Sequence, residues 1–417
     1  MILHKRGMDR LLLIVTIAMS VFGIVMIGDV SVGMAAKYGT VYATKNMLKQ
    51  AAYVLLGLFG MSLLAHNFQP RHMSRRFLYV LYFIVLVLML VCRLWVLNGS
   101  HAWIKIGKIT IQPVEFMKLV LILIMAVSCG NLPEMIDPSK FRQARVRAAV
   151  SDQKLRICVI YPLFMVGTAF LVCAFWQNDL GSSLILAAIA YVILLCAPYN
   201  YYARIKRLSF MAVGALVVLV VILGATNILA SHQLARIDSW LHPLQNIYNS
   251  SWQTVNGLVG YVNGGLIGRG FGNSLMKYGY IPEAQNDFIS AIIVEELGLL
   301  GFGIILFLYC IIIFKMFNYA IKINDTTDKL TLIGIATYFT AHLFVNIGGV
   351  SGLIPMTGVP LLLISAGGTS TVTALCSIGI AQSIIIRYHR AVRQEAVEAE
   401  LEKRQAERLA KGVFHEV

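Results

Sequence analysis

One carboxylate of this chain stands where a polar segment meets an apolar one. Asp287 closes the polar segment 280–287, and the apolar stretch that follows carries Glu295 and Glu296. A carboxylate at such a boundary stays ionised but loses part of its hydration, which tunes it toward the basicity of a general base. We therefore predict that Asp287 is a catalytic base and that Glu295 and Glu296, which lie deeper, are structural.

Three further ionisable residues lie in or beside apolar stretches. Glu115 and Lys118 are three positions apart, so in a helix they share one side and can pair. Asp179 opens an Asp-Leu-Gly-Ser sequence that is typical of a helix start. Because burying a charge in apolar surroundings is costly, these residues are predicted either to support Asp287 or to hold helices together as ion pairs.

A glycine-rich segment, 257–274, precedes the predicted base. Its glycines permit positive φ angles and a close approach of the backbone to a ligand, although a merely flexible loop is the alternative. Arg269 and Lys277 carry the charge that would meet a phosphate. We predict a ligand-binding loop in which Asn263, Arg269 and Lys277 contact the substrate.

Composition determines the class of fold. Of the 417 residues, 58% are hydrophobic and 13% are charged, and the mean hydropathy is +0.74. A water-soluble fold of this size needs far more polar surface. The chain is therefore predicted to be an all-α membrane protein that crosses the bilayer several times.

About ten stretches have the length that a helix needs to cross the hydrocarbon core. They are 11–28, 47–65, 77–95, 113–129, 156–176, 180–198, 209–230, 287–314, 330–354 and 359–386. A large extracellular loop, about 231–286, separates the seventh from the eighth. We expect one membrane domain, 1–386, and a charged, helical, cytoplasmic tail, 387–417.

Basic residues indicate the orientation of these spans. The net charge is +15, and Lys and Arg are concentrated before the first span and in every second connection, as in cytoplasmic loops. Both termini are therefore predicted to be cytoplasmic, which places Glu115, Asp179 and Asp287 toward the outer side. The basic residues form no stripe interleaved with aromatics, so we expect contact with membrane lipids and no nucleic-acid binding.

A second irregular segment, 346–370, interrupts two apolar stretches with glycine, proline and hydroxyl residues. Non-helical backbone at membrane depth is tolerated only where protein buries it or where it lines a wet cavity. The segment is predicted to form a re-entrant wall of such a cavity, with Ser365 among the substrate contacts.

Several segments together resemble the SEDS family (shape, elongation, division and sporulation), which includes RodA, FtsW and SpoVE. The matching segments are 103–107, 112–118, 177–181, 263–288, 295–298 and 346–370, in family order. The resemblance implies a ten-span fold, with Asp287 at the essential aspartate and Glu115, Lys118 and Asp179 at the supporting ionisable positions. Trp103, in the first segment, is predicted to contact the substrate.

Four residues depart from the family pattern. Asn178 and Leu362 stand where proline is usual or common, Asn286 replaces threonine, and Ala366 replaces tyrosine or glutamine. None of these changes removes an ionisable site. They bear on the branch of the family more than on activity.

The resemblance implies a peptidoglycan glycosyltransferase of the bacterial cytoplasmic membrane. Such an enzyme polymerises lipid II at the outer face and works with a class B penicillin-binding protein and other division or elongation proteins. It requires no cofactor, although a divalent cation (Mg or Mn) is compatible with a pyrophosphate leaving group, and no metal-binding residues are predicted. The segments 279–285 and 346–349 and the tail favour the FtsW-like division branch.

Two other classes of function stay open at the level of the residues. Ten spans with broken helices and intramembrane charges also describe a transporter, in particular a lipid II flippase. A noncatalytic scaffold for a penicillin-binding protein is the other alternative. Inverted repeats would favour the transporter, and none is evident in the sequence. Replacement of Asp287 should abolish polymerisation but leave scaffolding intact.

Overall fold

The computed structural model describes residues 7–39, 41–70, 73–96, 100–107, 109–130, 156–197, 207, 240–245, 247, 251–282 and 284–413. Within these ranges the helices are α1 (Arg10–Gly33), α2 (Ala35–Tyr38), α3 (Val41–Asn67), α4 (Arg75–Val91), α5 (Pro113–Gly130), α6 (Tyr161–Leu171), α7 (Leu180–Cys196), α8 (Trp252–Gly264), α9 (Ile289–Lys322), α10 (Thr326–Val350) and α11 (Gly368–Val413). A 3-10 turn, Cys92–Leu94, extends α4, and π-helical turns, Arg156–Ile160 and Val172–Trp176, flank α6. Two short strands, β1 (Ile104–Ile106) and β2 (Ile109–Ile111), pair antiparallel.

The predicted all-α membrane fold is confirmed. In the described ranges, eight helices are long and apolar enough to cross a membrane, and α7 is a shorter apolar helix of 17 residues. Together they overlap nine of the ten predicted spans. The seventh span, 209–230, lies outside the described residues, so the number of spans stays a prediction.

The spanning helices differ in how far they are enclosed. α5 and α11 are the most deeply buried, whereas α3, α4 and α9 leave most of their most apolar windows uncovered. Large apolar side chains such as Leu55, Phe83 and Phe307 are exposed on these outer helices. The protein therefore has a core built on α5 and α11 and an apolar outer surface suited to lipid.

The last two predicted spans begin and end at other residues than expected. α10 ends at Val350, and residues 351–367 form a non-helical segment, here called the wall, before α11 begins at Gly368. Gly352 and Gly358 adopt φ angles of 76° and 71°, and Pro355 and Pro360 lack the N–H that a helix needs. α11 then continues without a break to Val413, so the predicted tail extends the last spanning helix.

The β1–β2 hairpin is a feature that the span pattern did not predict. Ile104 pairs with Ile111 and Ile106 with Ile109, and Gly107, with φ 61°, lies in the turn. Alternating isoleucines around a Gly-Lys turn are a signal for a hairpin. The hairpin leads directly into α5 and places Trp103 and Gln112 beside the cavity described below.

The glycine-rich segment is a loop only in its second half, because residues 257–264 form the end of α8. The remaining residues, 265–274, are the glycine-rich loop, which is fixed to a break in α9. Gly298 interrupts this helix with φ 70° and ψ −179°, which leaves peptide groups on both sides of the break available to the loop. Four backbone hydrogen bonds of 2.9 to 3.1 Å join the two segments: Leu299 N–H to Gly265 O, Leu300 N–H to Leu266 O, Arg269 N–H to Glu295 O, and Gly270 N–H to Glu296 O. The loop is therefore held in place by the helix.

We predict that Gly264→Ala destabilises the protein, because its Cβ would overlap the carbonyl of Val294. Backbone cannot move aside cheaply, so the expected loss is at least about 1–3 kcal/mol. The matched control is Gly303→Ala, since no atom lies within 4 Å of a Cβ built there. Thermal unfolding in detergent measures both, and equal Tm values for the two variants would contradict the packing described.

Candidate active site

A cavity of about 790 Å³ lies between α3, the hairpin, the wall and the segment before α9. Its lining includes Asp287, Asp179 and Trp103, which come from three distant parts of the sequence. Amide and hydroxyl side chains supply much of the remaining surface: Asn46, Gln50, Ser100, Gln112, Asn178, Gln253, Thr254, Gln285, Asn286, Thr357, Thr369 and Ser370. The cavity thus combines many hydrogen-bonding side chains with apolar ones, and it is suited to a ligand that carries many hydroxyl groups.

Asp287 is held at the edge of this cavity by its backbone. The Asn346 side-chain amide donates to Asp287 O and to Val359 O, both at 2.8 Å. Gly358 lies against the carboxylate, because a Cβ built there would be 3.7 Å from Asp287 Oδ2. Asp287 is 9% exposed, so it is largely desolvated and still borders the cavity.

Asp179 is held by hydrogen bonds from two directions. Its Oδ1 accepts from Ser182 N–H at 2.9 Å, which caps the N-terminus of α7, and its Oδ2 accepts from Gln112 Nε2 at 3.1 Å. Asn178 before it has φ 56°, a conformation that asparagine tolerates and proline cannot adopt. Asp179 therefore joins α7 to the start of α5 at the cavity.

Glu115 and Lys118 form a buried ion pair that does not line the cavity. Lys118 Nζ is 2.7 Å from Glu115 Oε1, and both residues are fully buried. Lys118 Nζ also lies 3.0 Å from His342 Nε2, and Tyr338 donates its hydroxyl to Glu115 Oε2 at 3.2 Å. His342 and Tyr338 were not singled out in the sequence, because neither stands in a motif.

Lys277 is buried among carboxylates rather than facing the cavity. Its Nζ lies 2.7 Å from Asp29 Oδ1 and 3.0 Å from Glu296 Oε1, and it donates to Gly272 O at 2.8 Å. Burial lowers the pKa of Lys277, but these hydrogen bonds outweigh burial and hold the pKa above its ordinary value. The ammonium is thus already used in fastening the loop to α1 and α9.

The other residues predicted to contact substrate also lie apart from the cavity lining, except Trp103. Arg269 is exposed, and Asn263 donates to Glu295 Oε1 at 3.2 Å. Ser365 is buried, and its hydroxyl accepts from Leu361 N–H at 2.8 Å within the wall. Asn263 thus joins α8 to α9, and Ser365 satisfies a buried peptide group of the wall.

Glu295 and Glu296 receive hydrogen bonds from the loop. Glu295 accepts from the N–H groups of Leu275 and Met276 at 3.2 Å and from the Ser274 hydroxyl, and Glu296 accepts from Ser274 N–H at 3.1 Å. Both carboxylates are fully buried. Their partners agree with the structural role that their depth suggested.

Four helices begin at the cavity. The lining includes Gln112, Asp179, Asp287 and Gly368, each at or within two positions of the first residue of α5, α7, α9 or α11. Helix N-termini carry partial positive charge and free N–H groups, which favour anions. Among the described lining residues Lys49, on α3, is the one basic side chain, and nothing in the sequence distinguished it from Lys45 on the same helix.

The fold and the cavity define a multi-pass membrane protein whose polar site is formed by helix starts, two aspartates and a non-helical wall. Residues 9–390 match the FtsW, RodA and SpoVE family model, described as cell cycle protein. The chain belongs to this family. The resemblance inferred from the sequence motifs is thereby confirmed.

Two relatives in Bacillus subtilis (strain 168) match almost the whole chain. The chain is 31% identical over 388 residues to the probable peptidoglycan glycosyltransferase FtsW, with 91% of each protein covered. It is 30% identical over 393 residues to stage V sporulation protein E, covering 93% of this chain and 99% of that protein.

Solved structures share the fold. A chain from the structure described as "Structural coordination of polymerization and crosslinking by a peptidoglycan synthase complex" gives a TM-score of 0.65 at 22% identity, covering 91% of this chain and 98% of that one. Rod shape determining protein RodA of Thermus thermophilus gives 0.57 at 21% identity, covering 91% and 97%.

We predict that Lys277→Met strongly destabilises the protein, whereas Arg269→Ala does not. Removing Lys277 leaves two buried carboxylates without their cation, a change that typically costs about 3–5 kcal/mol. Arg269 is exposed, so its removal should change stability by less than about 0.5 kcal/mol. Thermal unfolding in detergent measures both, and a fully stable Lys277→Met protein would show that the ion pairs are not needed.

Proposed function

We propose that this chain is a peptidoglycan glycosyltransferase that polymerises lipid II at the outer face of the bacterial cytoplasmic membrane. The observation that carries the proposal is the position of Asp287, a largely desolvated carboxylate at the edge of a polar cavity. The names of the two Bacillus subtilis relatives, which include a glycosyltransferase, support the same chemistry.

The cavity suits both ends of the reacting bond. Lipid II offers a disaccharide, whose hydroxyl groups need polar contacts, and a pyrophosphate, which needs positive charge. Amide side chains such as Asn46 and Gln253 serve the sugars. The starts of four helices and the ammonium of Lys49 serve the pyrophosphate.

The reaction is a direct displacement with Asp287 as the general base. The carboxylate takes the proton from the 4-hydroxyl of the acceptor sugar while that oxygen attacks the anomeric carbon of the donor. The bond from this carbon to the pyrophosphate oxygen breaks, and the polyprenyl pyrophosphate leaves toward Lys49. One displacement at an α-linked donor inverts the centre and gives a β1,4 bond, so no covalent intermediate forms on the enzyme.

The proposed step relies on protein groups. In the described part of the chain, no three His, Cys, Asp or Glu side chains form a group that could hold a metal ion. Asp179 and Asp287 both border the cavity, but Asp179 already accepts from Gln112 and from the N-terminus of α7.

Contacts at the end of the helices remote from the cavity support the proposed orientation. Asp9, before α1, exchanges two hydrogen bonds with Gln382 of α11, and its carboxylate pairs with Lys315 of α9. α1 runs from there to Ile27, which lines the cavity. The basic connections assign the Asp9 end to the cytoplasm, so both termini are cytoplasmic and the cavity faces outward.

The enzyme is proposed to act with a class B penicillin-binding protein. A solved structure with this fold comes from a peptidoglycan synthase complex that coordinates polymerization and crosslinking. A transpeptidase partner would supply the crosslinking, for which this chain shows no separate domain in its described residues. The FtsW name of one relative favours a role in cell division.

We predict that Asp287→Asn abolishes polymerisation of lipid II by the purified complex with its partner. The substitution removes the base but keeps the size of the side chain and the backbone bond to Asn346. The matched control is Asp325→Asn, since Asp325 caps α10 away from the cavity and asparagine also caps well. Gel analysis of glycan chains is the measurement.

The outcomes of this experiment separate the classes of function. Chains from the wild type and the control, but not from a folded Asp287→Asn protein, are expected. Equal chains from all three would contradict the role of Asp287. No chains from any, together with lipid II movement across liposomes, would favour a flippase, and neither activity would favour a scaffold.

We also predict that Lys49→Gln lowers kcat/KM roughly 10- to 100-fold, because the leaving pyrophosphate loses its cation. Lys49→Arg should retain most activity. Lys45→Gln is the matched control, since Lys45 is an exposed lysine on the same helix that does not line the cavity. An equal effect of Lys45→Gln and Lys49→Gln would mean that general surface charge, and not the cavity, is responsible.

A further inference from the structure

Three buried polar side chains follow one another at intervals of four residues on α10. They are Tyr338, His342 and Asn346, and none is more than 2% exposed. Residues four apart lie on the same face of a helix. We call these three residues the α10 stripe.

The lower part of the α10 stripe contacts the buried ion pair. Tyr338 donates to Glu115 Oε2 at 3.2 Å, and Lys118 Nζ lies 3.0 Å from His342 Nε2. An ammonium group has no acceptor, so Lys118 must donate to His342 Nε2. His342 is therefore neutral, with its proton on Nδ1.

The upper part of the α10 stripe contacts the wall. His342 Nδ1 lies 3.2 Å from Pro360 O and donates its proton there, while Asn346 donates to Val359 O and to Asp287 O. Val359 and Pro360 come directly after Gly358, the residue that lies against the Asp287 carboxylate. The α10 stripe thus holds the backbone of the proposed base, through Asp287 O, and the backbone of the wall beside it, through Val359 O and Pro360 O.

We propose that the α10 stripe is a positioning device, through which the Glu115–Lys118 pair fixes the wall against Asp287, with His342 as the connecting residue. The proposal rests on the proposed function, because it assigns a role in that reaction to residues that do not border the cavity. Glu115 and Lys118 are fully buried and outside the cavity lining. They act through His342 and the Pro360 carbonyl rather than on the substrate.

This role differs from simple stabilisation in what it predicts. If the pair only holds helices together, a change at His342 alters stability without a specific effect on chemistry. If the α10 stripe positions the wall, loss of the two His342 hydrogen bonds frees the wall at Gly358. The Asp287 carboxylate and the acceptor sugar are then misaligned. Small misplacements of this kind cost about 100-fold in rate, with little effect on substrate affinity.

The test compares His342→Leu with His342→Gln in the polymerisation assay. Leucine makes neither hydrogen bond, and we expect kcat to fall about 100-fold while KM for lipid II changes less than about threefold. Glutamine can accept from Lys118 and donate to Pro360 O, so it should restore most of kcat. Thr331→Val is the control, since Thr331 is a buried residue of α10 whose hydroxyl bonds only within the helix.

Hydrogen exchange gives a second readout that does not need activity. The N–H groups of Leu361, Ile364 and Ser365 are hydrogen-bonded within the wall. They should exchange faster in His342→Leu than in His342→Gln or Thr331→Val, also when Asp287→Asn is present. If His342→Leu does not fold, His342→Asn takes its place, since the shorter amide reaches only one partner.

Unchanged kcat and unchanged exchange in His342→Leu would overturn the proposal. An equal loss of kcat with leucine and glutamine, or a loss confined to Tm, would also overturn it. Failure of the proposed function would look different. The wild type would then form no glycan chains, while the exchange experiment would still report whether His342 fixes the wall.

Discussion

The central physical constraint on this protein is that non-helical backbone inside a membrane fold must find its hydrogen-bond partners within the protein. The wall meets this constraint through bonds within itself and through groups from other segments. Asn346 holds Val359 O, His342 holds Pro360 O, and Gln285 O accepts from Ala366 N–H. Asn346 also donates to Asp287 O. The same side chain that satisfies a buried carbonyl of the wall therefore fixes the backbone of the proposed base. Held in this way, the wall stays apart from the neighbouring helices and leaves room for the cavity.

A second constraint concerns charge, because an unpaired buried ion is far more costly than a paired one. The protein separates its charges accordingly. Lys118 pairs with Glu115 inside the helix bundle, and Lys277 pairs with Asp29 and Glu296 under the loop. These ion pairs stabilise the fold. Asp287 and Lys49 instead border the cavity, where a substrate can interact with them.

Much of this arrangement could be predicted from the sequence, because local patterns encode it. Apolar length predicted the spans, and the boundary position of Asp287 predicted a residue at the edge of a cavity. The break with glycine and proline predicted a non-helical wall. Asp179 was predicted to support Asp287, and the family resemblance added Trp103 as a substrate contact; both residues line the cavity.

The remaining features depend on contacts between distant residues. Lys277 and Arg269 were predicted to contact substrate because of their charge. Charge alone does not reveal that Asp29, 248 positions away, already pairs with Lys277. Ser365 was chosen for its hydroxyl, which the wall uses for its own backbone. Lys49 and His342 stand in no motif, and only packing brings them to the cavity and to Lys118. Side-chain partners, unlike periodicity, cannot be derived from spacing.

The cavity bordered by Asp287 and four helix starts is the proposed place of sugar transfer. The most direct test is the structure of the Asp287→Asn protein with its partner and bound lipid II, determined by electron cryomicroscopy. We expect density for the pyrophosphate near Lys49 and the helix starts. A sugar hydroxyl or the anomeric carbon should lie within hydrogen-bonding or van der Waals distance of residue 287. Lipid II bound with its pyrophosphate against Arg269 on the outer loop, and an empty cavity, would contradict it.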